Sequence, residues 1–346
     1  MKGYIGFYTS RPFWAGTRPK FNEISQEKFT DIMSQEVFIF KNDDYEIKIC
    51  KDGLFLFRLE AIARDLDQAR RSEKPLDFEI EVGYWSKYLH YLNTIYLLFE
   101  LSILKKIGIS YFEISEITNK DAFSIQFNNE KFDGCSISDL SIISYYQQGR
   151  FLHYYKLYEG LNTDQSILMD QRIAGRLLEL TQDAFDSFVD DFTKIYNDFK
   201  SVEILSDFTK ALSEYKIANY SVSFVLSWFI IESYLNDKWR TLLRSKNFEP
   251  TPGIKRINSE RMKYLQDRDF HISVIQNLLE LFDVLELPKC KKIDKLRKIR
   301  NKLVHGDENS CHAQDCSEAF KIITDFILEH TNISLQLNTS RSIRGL

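Results

Sequence analysis

The chain is 346 residues long, 44% hydrophobic and 28% charged, a size that favours two domains over one and a balance that excludes a disordered or fibrous protein. Its formal net charge of −4 offers no global attraction to phosphate, so any nucleic-acid contact must come from a local basic cluster. Five cysteines, Cys50, Cys135, Cys290, Cys311 and Cys316, are too few and too unevenly spaced for a disulfide framework and read as free thiols of a reducing compartment.

In chain order, residues 1–9 hold one lysine ahead of an aromatic, strand-like run. They lack the apolar core and small-residue cleavage site of a secretory signal, so a cytoplasmic address is expected. The aromatics Phe13, Trp14 and Phe21, near Arg11, Arg18 and Lys20, read as core residues in preference to a nucleobase platform. Residues 36–41, 45–50 and 54–59 are short aromatic and β-branched runs separated by Asn42-Asp43-Asp44 and Lys51-Asp52-Gly53, and they predict a meander of three antiparallel strands. A charged helix follows over 61–71, broken by Pro75, and then a long apolar helix over 82–106. Lys87, His90, Asn93 and Glu100 interrupt that helix, and burying such groups in lipid is costly, so it is expected in a core and not across a membrane. Strands are expected at 109–114 and 122–127, with Gly134 in a turn and a short helix from Ser138. The N-terminal domain is therefore read as α+β.

Near Tyr158-Glu159-Gly160-Leu161-Asn162-Thr163 the strand signals nearly vanish, which puts the boundary between a domain of 1–162 and one of 163–346. Thr163 or Asp164 can cap a helix with Ile167, Ile173, Leu177 and Leu180 at helical spacing, running on through Phe185, Phe188, Phe192 and Ile195. Helices are predicted over 202–218, 222–243, 259–267, 272–286, 291–305 and 313–330. The 222–243 helix is apolar enough around Phe224, Trp228 and Phe229 to be buried on most sides. Pro288 and Gly306 bracket the 291–305 helix, with Gly306 as its left-handed stop. The second domain is thus an all-α helical bundle.

Residues 289–302 hold Lys289, Lys291, Lys292, Lys295, Arg297, Lys298, Arg300 and Lys302 against one acid, Asp294. A basic run near a helix C-terminus is ordinarily a solvated face, favoured by the helix dipole. Helical projection separates out one member. At about 100° per residue, Ile293, Leu296, Ile299, Leu303 and Val304 form an apolar arc with Arg300 at its edge. A guanidinium there needs either a carboxylate inside the fold, with Glu232 as the candidate, or a cleft that admits an anion. His305 stands one turn beyond Asn301, at i and i+4. Arg300 and His305 are five apart, so their cooperation requires a long arginine, a bent helix end or a second copy of the helix. Cys311, His312 and Cys316 fit no common zinc spacing, and Cys316 falls on an apolar face with Phe320, Ile323 and Ile327, so a structural thiol and no metal are expected. No phosphate-cradling glycine loop, Ser-His-Asp signature or convincing carboxylate pair is present.

An arginine, a polar residue, three more positions and a histidine near the end of a late helix, here Arg300, Asn301 and His305, resemble the signature of the HEPN superfamily. The run "IRNKLVHG" and the upstream "VLSWFIIESYLNDKW" with Glu232 are similar to its Apea-like group, and the resemblance covers residues 202–333. It implies a metal-independent endoribonuclease without cofactor, active as a homodimer that brings two Arg-Asn-x-x-x-His segments into one cleft around RNA. Its catalytic residues would be Arg300, Asn301 and His305, with Arg297, Lys298 and Lys302 guiding the RNA backbone.

These residue types suit the reaction, because RNA carries its own nucleophile in the 2′-hydroxyl. Histidine can serve as base or acid near neutrality, and arginine can hold the non-bridging oxygens through paired hydrogen bonds. The expected products are a 2′,3′-cyclic phosphate and a 5′-hydroxyl. HEPN toxins of microbial anti-phage systems carry variable N-terminal domains, which by analogy makes residues 1–162 a sensor or regulator of a phage-derived or nucleotide trigger. The alternative is a non-catalytic HEPN-like dimer that binds RNA, a nucleotide or a partner protein.

Overall fold

The computed structural model describes residues 2–11, 13–19, 26–71, 77–108, 113–128, 131–137, 178–266, 270–306 and 311–337. The chain divides into two compact units, Met1–Thr209 with Gln336–Leu346, and Lys210–Leu335. The expected boundary at 162/163 lies outside the described residues. The observed division falls at Thr209 because the helix that opens at Gln182 packs with the sheet region that precedes it.

The first unit contains β1 (Lys2–Phe7), β2 (Phe13–Ala15), α1 (Gln26–Met33), β3 (Glu36–Lys41), β4 (Tyr45–Cys50), β5 (Phe55–Leu59), α2 (Glu60–Arg71) and α3 (Phe78–Ile107). It continues through β6 (Phe123–Asn128), β7 (Lys131–Ile137), β8 (Leu178–Leu180), α4 (Gln182–Ile195) and the first part of α5 (Phe199–Lys216). An antiparallel sheet runs in the order β3-β4-β5-β1-β6-β7, and β3 to β5 form the meander that their alternating sequence predicts. Its register pairs Ile47 with Phe57 and Tyr45 with Leu59, which puts Tyr45, Ile47, Phe55 and Phe57 on one side. That side meets α3 and α4 through aromatic rings: Phe55 lies 4.9 Å from Phe99, Tyr45 5.1 Å from Phe192 and Phe38 5.2 Å from Phe185.

Two of the polar residues that interrupt α3, Asn93 and Glu100, have hydrogen-bond partners inside the unit. The Asn93 amide donates to the carbonyls of Leu89 and Ile117 and accepts from the Ile117 N–H. Glu100, fully buried, accepts from Arg11 Nη2 at 3.2 Å, Arg11 Nε at 3.3 Å and the Glu113 N–H at 3.1 Å. Burial pushes the Glu100 carboxyl up to about 7, although Arg11 pulls the other way. Among the described residues no helix is long and apolar enough to cross a membrane.

Several expectations give way to tertiary pairing. Leu178–Leu180 is a strand and not part of a helix with Leu177. It pairs in parallel with β2, Phe13 opposite Leu178 and Ala15 opposite Leu180, and α4 starts only after Thr181. Leu180, Phe13 and Trp14 are fully buried, so pairing in a dry site outweighs the helical spacing. Gly134 lies within β7 opposite Gln126, not in a turn. Of the strand expected at 109–114, residues 113–114 are irregular and the rest lies outside the described residues, as do the helices expected from Ser138 and from Thr163 to residue 177.

The second unit follows α5 with α6 (Tyr220–Ser245), α7 (Ser259–Tyr264), α8 (Ile272–Leu281), α9 (Leu287–Val304) and α10 (Ala313–Thr331). Among the described residues its elements are all helical apart from one isolated bridge between Thr251 and Ile254. An N-terminal sheet region followed by a mostly helical C-terminal part is what the sequence pattern and the structure share. α6 is the centre of this unit and packs against α8, α9 and α10, burying Trp228, Ile231 and Leu235. The Tyr234 and Phe326 rings stack at 3.5 Å. α6 is less enclosed than expected, however, since Phe229 is 55% exposed. α8 ends at Leu281 and not at 286, because the chain reverses through Asp283 at φ 56°.

Candidate functional site

Three segments far apart in sequence line a cleft of about 610 Å³ in the helical unit. α6 contributes Trp228, Glu232 and Asn236, which recur every four residues and so share one face. α9 contributes Arg297, Arg300 and Asn301, also on one face by their spacing of three and four. The remaining wall is Gln266 with Phe270, His271, Ile272 and Ser273, where the chain enters α8.

The position of α9 follows from its sequence. Pro288 stands in its first turn, where a missing N–H costs nothing. Ile293 and Leu296 are buried, and the buried amide of Gln276 on α8 donates to the Cys290 carbonyl at 2.8 Å. Arg297, Arg300 and Asn301 are consequently held half-buried beside this anchored face. At the far end Gly306 takes φ 93°, and its N–H donates to the Leu303 carbonyl at 3.1 Å, the left-handed stop anticipated for it.

Arg300 Nη1 donates to Asn301 Oδ1 at 3.3 Å, and among the described residues no carboxylate pairs with it. Glu232, the carboxylate that could have closed an internal ion pair, accepts instead from Trp228 Nε1 at 2.8 Å. The Arg300 side chain therefore lines a cleft and is not locked in the core. Arg297 is half-committed: its Nη2 donates to Asp294 Oδ1 at 2.7 Å, while its buried Nε has no hydrogen-bond partner among the described residues. Asp294 also takes Lys298 Nζ at 2.7 Å. The hydrogen bonds from Lys298 and Arg297 hold its carboxyl below the usual carboxylate range.

The other expected site residues lie apart from the cleft wall. Lys298 and Lys302 are exposed on α9. His305 is the exposed C-cap of α9, with its backbone N–H on the Asn301 carbonyl at 3.1 Å, and its side chain does not line the cleft. Arg297, Arg300 and Asn301 are thus brought together, and His305 stands one turn beyond them. Val304, assigned to the apolar arc by projection, is 60% exposed, because the buried face of α9 runs out before its last turn. Elsewhere in the unit, Lys289 lies over the Phe326 ring at 4.4 Å, so the basic run is not uniformly solvated. Cys316 is fully buried on the apolar face of α10, its Sγ donating to the Tyr220 carbonyl at 3.3 Å.

Sequence reasoning did not single out Asn236, Gln266, Phe270, His271 or Ser273 as site residues. Their only local signal was a helix start at Ile272, since a cleft wall assembled from three separated segments has no periodicity of its own. Physically the cleft presents two guanidinium groups, amide side chains, a hydroxyl, an imidazole and a single carboxylate among its described lining. The amide groups opening α8 add the positive end of a helix. It suits an anionic ligand with polar edges. No protein-family model, curated protein or solved structure matches the chain.

Proposed function

We propose that the helical unit is a metal-independent endoribonuclease of the HEPN kind, acting as a homodimer on RNA by attack of the 2′-hydroxyl on the adjacent phosphorus. The observation that carries this reading is Arg300, a guanidinium lining an accessible cleft with no carboxylate paired to it among the described residues. A buried or half-buried cation without a counter-charge is costly unless a ligand supplies one, and a phosphodiester does so with two oxygens suited to the planar fork.

In this reading Arg300 holds the non-bridging oxygens, Asn301 orients the guanidinium it already touches, and His305 moves a proton. Arg297, Lys298 and Lys302 follow the backbone. Exposed apolar side chains support a second copy as the partner. Val304 adjoins His305, and Val222 and Phe229, seven residues apart on one face of α6, are 43% and 55% exposed. A role as a toxin or effector in anti-phage defence follows the same resemblance, with the sheet unit sensing the trigger.

The test is cleavage of a labelled RNA by purified protein in excess chelator, with products examined for 2′,3′-cyclic phosphate and 5′-hydroxyl ends. Wild type should cut, and Arg300→Ala and His305→Ala should lose at least about a hundredfold with an unchanged melting temperature. A second reading is favoured by His305 standing outside the cleft lining: a dimer that binds RNA, a nucleotide or a partner protein without cutting. Tight RNA binding with no cleavage by wild type would establish it in place of the first.

A further inference from the structure

Cleaving RNA through its 2′-hydroxyl moves two protons. The 2′-oxygen loses its proton as it bonds to phosphorus, and the 5′-oxygen gains one as its bond to phosphorus breaks. Arginine stays protonated at any working pH and an amide does not titrate, so Arg300, Arg297 and Asn301 can hold the phosphate but can carry neither proton. Two titratable side chains remain in the described lining of the cleft, Glu232 and His271. Glu232 is already engaged as an acceptor of the Trp228 indole N–H.

His271 is not engaged in that way. It is the N-cap of α8, exposed, and its side chain makes no capping hydrogen bond. Its ring therefore has the freedom to turn onto a ligand held by Arg300, whose side chain lines the same cleft. We propose that His271 is a catalytic residue of this cleft, a second imidazole that carries one of the two protons while His305 carries the other. The proposal rests on the nuclease reading and deepens it: two histidines would share the two protons, one from the start of α8 and one from the end of α9.

The experiment uses full-length protein and RNA in excess chelator. His271→Ala should bind RNA within a few-fold of wild type, keep its melting temperature, and cut at least about a hundredfold more slowly. Added imidazole should restore part of that rate, and the pH–rate profile should lose one limb, neither of which a merely structural role would produce. An oligonucleotide with sulfur replacing the 5′-bridging oxygen needs no proton on its leaving group, so it identifies the role. Recovery of His271→Ala on this substrate makes His271 the acid, and no recovery with loss of the acidic limb makes it the base.

Undiminished cleavage by His271→Ala, beside an inactive Arg300→Ala, overturns the proposal and leaves the nuclease reading standing. So does a slow variant with an unchanged pH profile and no response to imidazole. A wild-type protein that does not cut RNA removes both.

Discussion

Trp228 Nε1 donates to Glu232 Oε2 at 2.8 Å, and this bond within one helix, not an ion pair with Arg300, fixes the one carboxylate in the described lining of the cleft. The charge of Glu232 therefore opposes an anionic ligand, while its oxygen satisfies an indole that is only 1% exposed. Glu232→Gln keeps an acceptor and removes the charge. It should tighten binding of a short RNA by about 1 kcal/mol, roughly fivefold in Kd, with little change in stability. Glu232→Ala should behave differently, losing about 1–3 kcal/mol because the buried indole N–H is left without its acceptor. Fluorescence titration and urea unfolding separate the two effects, and weaker RNA binding by Glu232→Gln would show that the carboxylate contacts the ligand favourably.

Gly306 governs the end of the helix that carries Arg300, Asn301 and His305. Its φ of 93° is left-handed, and a Cβ added there would meet nothing within 4 Å, so the cost of a side chain is conformational alone. Gly306→Ala should lower stability by about 1–2 kcal/mol. Gly306→Asn should cost less, since asparagine tolerates this region. If His305 acts in catalysis, Gly306→Ala should also slow cleavage by more than the unfolded fraction explains, because the histidine immediately precedes the strained residue. Equal losses of activity and folded protein would uncouple the helix end from the reaction.

The parts of this molecule legible in the sequence are those whose signal is local. The meander of β3 to β5 follows from alternation and turn residues, α3 from its long apolar run after Pro75, and the stop of α9 from Gly306. β8 escaped because Leu177 and Leu180 sit three apart, a spacing that fits a helix face. What decides it is pairing with Phe13–Ala15, a segment from the far end of the same unit. For the same reason the cleft is legible in the sequence only through α9 and Glu232 of α6. Arg297, Arg300 and Asn301 lie on a single helix where projection can sort them, while His271 and Gln266 join them only through the packing of α8 and α9 against α6. Val304 shows the limit of projection itself: it finds a face but not where along the helix the partner ends.

Lys298 and Lys302 are both exposed on α9 but differ in commitment, since Lys298 is bonded to Asp294 at 2.7 Å. A lysine that reaches RNA by giving up such a pair contributes less than one that starts in water. Neutralising a phosphate of single-stranded RNA changes the slope of log K against log salt by about 0.7. Lys302→Gln should reduce the slope by close to that amount, and Lys298→Gln by distinctly less. Binding isotherms across a range of salt concentrations measure both. Identical slopes for wild type and Lys302→Gln would remove Lys302 from the RNA path.

The buried Arg11–Glu100 pair gives the sheet unit a pH dependence of its own. A glutamate in the unfolded chain titrates near 4.5, and burial pushes Glu100 in the folded unit up to about 7. Between those values the folded state holds a proton that the unfolded state has released, so the contribution of Glu100 to stability is full below about 4.5 and is lost as pH rises through 7. The loss amounts to a few kcal/mol, on the order of 1.4 kcal/mol for each pH unit that separates the folded and unfolded titrations. Glu100→Gln keeps one acceptor oxygen, for Arg11 Nη2 and the Glu113 N–H, and gives up the acceptor of Arg11 Nε at every pH. It does not titrate, so the stability of wild type relative to this variant should fall across that window and level off above it. Hydrogen exchange of the buried amides in the middle of α3, corrected for intrinsic rates, reads this locally. A relative stability that rises with pH instead would mean that Arg11 outweighs burial and keeps the carboxylate charged.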